Sequence, residues 1–205
     1  MDFSCFSKQQ LLVIKKLDTP LKVQQFVDSL EYNTGERLSP RSVLRFHKGD
    51  CLEGAALACA VLLYHKYQAF LLDLRAVRDE DHVICVYKKK NLYGAIAKSK
   101  FLGLGYRNAA YRTTRELVMS YFEHCYNFFG ELTLREYSVP YRLNKLGSAW
   151  FYRDEDMWII EEKIDKIKHL KVVPDSHSAD RVSKLKFSKE VLVLPKGTRV
   201  GKNYK

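Results

Sequence analysis

The chain of 205 residues predicts an α+β fold: a central buried helix packed on an antiparallel sheet, with flanking helices. Three observations predict it. From Cys51 to Tyr64 nearly every residue is small or aliphatic, with no polar stripe at the 3.6-residue period, so that helix must be surrounded by protein. Three short segments rich in β-branched and aromatic residues follow it, separated by charged turns, and these read as a meander. One helix followed by consecutive strands is the order of an α+β domain rather than of alternating βα units.

Taken in order, residues 7–17 and 19–30 read as two short helices. The second is opened by Thr19 as cap with Pro20 at the first helical position, and Val23, Phe26, Val27 and Leu30 fall at helical spacing. Tyr32-Asn33-Thr34-Gly35 ends it, and Ser39-Pro40 repeats the cap-and-proline signal before a short helix over 41–47. Gly49-Asp50 is a turn and N-cap signal that places Cys51 in the first turn of the central helix. Strands are expected over 70–77, 82–87 and 92–98, joined by the turns Arg78-Asp79-Glu80-Asp81 and Lys88-Lys89-Lys90-Asn91. Thr113-x-x-Glu116 is a capping-box pattern opening an amphipathic helix whose inner face would be Leu117, Tyr121, Phe122, Cys125 and Phe128, with Gly130 as its stop. Residues 132–141 read as extended. Residues 156–170 read as a last amphipathic helix carrying Trp158, Ile159, Ile164 and Ile167. The expected division is one domain over 1–171, with its core at about 40–141 and N-terminal helices within 7–47, and a basic tail over 172–205 in which 191–194 could dock as a strand.

Composition narrows the class. A hydrophobic content of 46% with 13% aromatics belongs to a folded globule, not a disordered chain. The longest apolar run falls short of the roughly 18–20 residues of a membrane span, and the N-terminus lacks the pattern of an export signal. No membrane partner is expected. Five cysteines, odd in number and scattered, read as reduced thiols in a cytoplasmic protein. Net charge is +11, but residues 181–205 hold eight Lys and Arg against the single acid Glu190, a net +7, so the body carries only about +4. Nucleic acid therefore enters only as a partner of the tail, behind a peptide or protein substrate. No cofactor or metal is called for: Cys-x-x-Cys, His-Glu-x-x-His and a phosphate loop are all missing, and Gly103-Leu104-Gly105 lacks the further residues such a loop needs.

The candidate chemistry is that of a cysteine nucleophile. Cys51 at a helix start lies where unpaired N–H groups and the helix dipole favour a thiolate. His82, opening the second strand after the Asp79-Glu80-Asp81 turn, can meet it after one helix, one strand and two turns, and would take the thiol proton. Cys59, Cys85 and Cys125 read as core residues. Glu53 reads as a support for the helix start or a partner of Arg45 or Arg75, and Asp73, inside a buried strand, as half of an ion pair with Arg75, Arg107 or Arg112. His47 reads as a surface histidine at a helix end, with an oxyanion donor as the alternative.

Several motifs in order carry a resemblance. Cys51-Leu52-Glu53-Gly54-Ala55, Leu71-Leu72-Asp73-Leu74, Asp81-His82-Val83, Tyr93-Gly94-Ala95-Ile96-Ala97-Lys98-Ser99, and Arg115-Glu116-Leu117 with Ser120-Tyr121-Phe122 resemble the transglutaminase-like (papain-related) superfamily, in particular a group of bacterial proteins of that type. The resemblance spans roughly 40–141. It implies a papain/transglutaminase-like core, Cys51 as nucleophile and His82 as base in a cysteine hydrolase or acyl transferase acting on peptide or isopeptide amide bonds. The family also implies an acid or amide on the next strand to orient the imidazole; here that strand offers neither, and Ser99 or a backbone carbonyl would have to serve. The alternative reading is a catalytically inactive fold of the same type that binds a protein or peptide.

Overall fold

A computed structural model describes residues 2–174. The sheet within it is antiparallel throughout and has six strands: β1 (Gln68–Ala76), β2 (His82–Lys89), β3 (Leu92–Ile96), β4 (Arg107–Tyr111), β5 (Leu134–Ser138) and β6 (His169–Lys171), in the order β4-β3-β2-β1-β5-β6. The first three form the expected meander, and β5 returns to the free edge of β1. Helices α1 (Lys8–Lys16), α2 (Pro20–Ser29), α3 (Pro40–Phe46), α4 (Cys51–Tyr64), α5 (Thr114–Phe122) and α6 (Glu155–Lys166) complete it, with two short 3-10 turns at Leu143–Leu146 and Ala149–Phe151.

Alternation along the strands divides the interior into two cores. Leu71 of β1, Val83, Cys85 and Tyr87 of β2 and Ile96 of β3 face α4, which is buried from Leu52 to Leu62. Phe70, Leu72 and Leu74, with Ile84 and Val86, point to the other face and meet Leu117, Val118 and Tyr121 of α5. The two central strands are thus covered on both sides, which is why they read as continuous apolar runs. α4 must be apolar all round because α2, α3, β1 and β2 surround it.

The helix starts follow their local signals. Ser7, Thr19, Ser39, Asp50 and Thr113 each accept a hydrogen bond from an amide of the first turn. Helix ends depart from the sequence pattern in two places. α5 stops at Phe122, eight residues before Gly130, because residues 125–133 turn back on themselves: Thr133 N–H donates to the Cys125 carbonyl and Asn127 N–H to that of Glu131. α6 ends at Lys166, and His169 to Lys171 pair with β5 instead of continuing the helix. Its inner face is Met157, Ile160 and Ile164, whereas Trp158 and Ile159 are exposed. The strand β4 had no counterpart among the expected elements. Most of the basic tail and the segment 191–194 lie outside the described residues.

Candidate functional site around Cys51

Cys51 is the first residue of α4, and its surroundings hold that helix start by several independent bonds. The Asp50 carboxylate accepts from Glu53 N–H at 2.9 Å and pairs with Arg37, which also grips Glu161 of α6. Glu53 reaches back to Asp50 N–H at 2.9 Å, closing a capping box. It also accepts from Leu38 N–H and from the side-chain amide of Asn33. Glu53 is fully buried, and these three donor groups are what allow a carboxylate to sit there. Its partners are backbone and amide groups, so of the two expected roles Glu53 has that of supporting the helix start and not that of pairing with Arg45 or Arg75.

Two spaces meet at Cys51. A narrow inner cavity of about 50 Å³ is lined by Cys51, His82, Ser99 and Leu104, and a wider outer cleft of about 750 Å³ by Cys51, Asp73, Val83, Arg37 and Trp158. Tyr32, Cys51, Glu80, Asp81 and Lys100 line both. Cys51 and His82 therefore share one cavity, although alternation puts the imidazole on the α5 side of the sheet, with Ile84 and Val86. His82 reaches the cavity because it stands at the first position of β2, where the sheet ends.

The orienting group behind His82 is a backbone carbonyl. Its Nε2 lies 3.0 Å from the Leu104 oxygen; a carbonyl only accepts, so the ring proton sits on Nε2 and Nδ1 keeps its lone pair. The loop presenting that oxygen is fixed on both sides. Arg107 donates to the Gly103 carbonyl and the Tyr121 hydroxyl to that of Gly105. Three consecutive carbonyls are thereby each held by a side chain. Ser99 lines the inner cavity, but its hydroxyl accepts from Phe101 N–H at 2.9 Å and makes no bond to His82. The sequence signal for this arrangement is the glycine pair flanking Leu104.

Burial sets the resting protonation of both groups. It drives the His82 pKa down to about 4, with Arg107 adding to the effect and the Leu104 bond opposing it. It drives the Cys51 thiol up to about 12, helped by the Asp50 charge and opposed by the Val83 N–H beside the sulfur and by Arg37. Burial, joined by the Asp50 charge, thus works against the thiolate that a helix-start position favours. At neutral pH the site holds a neutral thiol and a neutral imidazole with a free lone pair.

Of the nearby groups, Asp73 takes a partner other than the expected one. Asp73 pairs with His169 of β6, Nε2 to Oδ2 at 3.0 Å and both side chains buried, not with an arginine. His169 donates from Nδ1 to the Ile167 carbonyl at 2.8 Å, so a single proton is shared between its Nε2 and Asp73. Burial holds the Asp73 carboxyl above the usual carboxylate range. His47 caps the end of α3 in a left-handed conformation, against the Ser29 hydroxyl, and lines neither space. Cys59, Cys85 and Cys125 are buried, the first two with their sulfurs 3.0 Å apart in the α4–β2 core. No helix among the described residues is long and apolar enough to cross a membrane. Compared with known proteins, the chain matches no family model, and no curated protein matches it.

Proposed function

We propose that this protein is a transglutaminase-like cysteine hydrolase or acyl transferase acting on peptide or isopeptide amide bonds, with Cys51 as nucleophile and His82 as general base. The observation that carries the reading is the shared cavity: a sulfur at the first position of a buried helix and an imidazole at the first position of the neighbouring strand open into one space, and the imidazole proton is committed to the Leu104 carbonyl. The lone pair on Nδ1 is then available to take the thiol proton as the sulfur attacks an acyl carbon. Because both groups rest neutral, proton transfer accompanies attack instead of preceding it. The Leu104 carbonyl takes the place of the side-chain acid or amide that the family resemblance implies, and Ser99 keeps only a place in the cavity wall. Substrate approaches through the outer cleft.

The test uses p-nitrophenyl acetate as an acyl probe, read by intact mass and by release of p-nitrophenol. The native protein should acquire one acetyl group on Cys51 and turn over, Cys51→Ala should do neither, and His82→Ala should be slower by about 10²-fold or more. Acetylation that ignores both substitutions would remove the enzymatic reading. It would favour the second one, a binding module of the same fold, which the lack of a carboxylate behind His82 motivates.

A further inference from the structure

Resting on that reading, we infer that the Tyr32 hydroxyl is the side-chain oxyanion donor of the Cys51 site. The backbone around Tyr32 is tied directly to the start of α4: Glu31 N–H donates to the His47 carbonyl at 3.0 Å, and Gly49 N–H, two residues before Cys51, donates to the Glu31 carbonyl at 2.9 Å. The next residue, Asn33, binds Glu53 within the first turn of α4. Tyr32 is therefore held against the nucleophile's own helix turn from both of its neighbours, and it lines both the inner cavity and the outer cleft with Cys51.

Of the five residues common to the two spaces, Glu80 and Asp81 carry carboxylates, which would repel a developing oxyanion. Lys100 is engaged, its Nζ 3.2 Å from Glu80 and 4.9 Å from the centre of the Tyr32 ring. The Tyr32 hydroxyl makes no hydrogen bond among the described residues, so its O–H is open to a ligand, whereas the Lys100 ammonium is drawn to Glu80. Burial, followed by the charges of Cys51, Asp50 and Glu80, raises its pKa, which keeps the phenol protonated as a donor must be. During acylation the Cys51 sulfur forms a bond to the acyl carbon and its proton passes to Nδ1 of His82. The carbonyl oxygen bears the negative charge, stabilised by the Tyr32 O–H and the Cys51 backbone N–H. Collapse then expels p-nitrophenolate, which takes up the proton.

The experiment separates chemistry that passes through an oxyanion from chemistry that does not. Tyr32→Phe should slow acetylation of Cys51 by p-nitrophenyl acetate about 10²-fold, while alkylation of Cys51 by iodoacetamide, a displacement at saturated carbon, stays within about twofold of native. Lys100→Met is the comparison. Equal slowing of both reactions in Tyr32→Phe, or no slowing, overturns the assignment, and so does slow acetylation in Lys100→Met with native rates in Tyr32→Phe. Failure of the native protein to acetylate at Cys51 at all would instead remove the proposed function, and this donor with it.

Discussion

At the scale of single residues, the protonation state of Cys51 follows from a balance between a helix end and a lost hydration shell. The Val83 N–H and Arg37 stabilise a thiolate, but burial and the Asp50 carboxylate oppose it more strongly. Asp50 has two functions that a substitution can separate, since asparagine caps a helix about as well as aspartate does but carries no charge. Asp50→Asn should therefore leave α4 formed while lowering the Cys51 pKa. Its alkylation by iodoacetamide at pH 8 should speed up, by at most about tenfold for one pKa unit. A rate equal to or below native would show that Asp50 is not what holds the thiol up. In the native protein the same rate should keep climbing above pH 8 instead of reaching a plateau near neutrality, since no thiolate–imidazolium pair forms at rest.

At the scale of elements, the contact that seats α4 on the sheet depends on one missing side chain. A Cβ on Gly54 would lie 2.7 Å from the Cβ of Lys98, just past the end of β3. Lys98 is itself fixed, its Nζ donating to the carbonyls of Asp28 and Leu30 at the end of α2. Neither partner can retreat cheaply. Gly54→Ala should cost about 1–3 kcal/mol in denaturant unfolding, even though alanine is the better helix former. Gly35→Ala, where the new atom would meet only the Asn33 oxygen at 3.6 Å, should stay within about 0.5 kcal/mol. Equal effects at the two sites would dismiss the close approach of α4 and β3 as a constraint. The elements also explain where periodicity misleads. Cys125 is buried on the same side as Leu117 and Tyr121, so it continues their apolar pattern, yet the returning hairpin and not the helix delivers it there.

At the scale of the whole molecule, a sheet with a core on each face buries ionisable groups along with the apolar ones, and stability becomes dependent on pH. In an unfolded chain an imidazole titrates near about 6.5, whereas His82 in the fold titrates at about 4. Between these values the unfolded chain binds a proton that the native state refuses. The His82 contribution is thus intact above about 6.5, is lost as pH falls towards 4, and changes no further below that, with a span on the order of 3 kcal/mol. The raised Asp73 carboxyl works in the opposite sense over acid pH, so the measurement is a difference. His82→Leu should lose less stability than native between pH 6.5 and 4 in urea unfolding. Parallel curves for the two proteins would contradict a buried neutral His82.

Much of this molecule is legible locally. The cap residues Thr19, Ser39 and Asp50, the unbroken apolar run of α4 and the turns between β1, β2 and β3 are set by neighbours a few residues away, and such interactions are written in short windows of sequence. The position of Cys51 at a helix start and of His82 at a strand start are legible for the same reason. Partners that close over long separations are not. Asp73 meets His169 ninety-six residues away, Leu104 lends His82 a carbonyl that every residue type possesses, and Tyr32 comes to the Cys51 cavity from a segment whose neighbours Glu31 and Asn33 are tied to the start of α4. Packing chose these, because a buried polar group takes whichever partner the assembled layers bring within bonding distance, and residue spacing does not encode that distance.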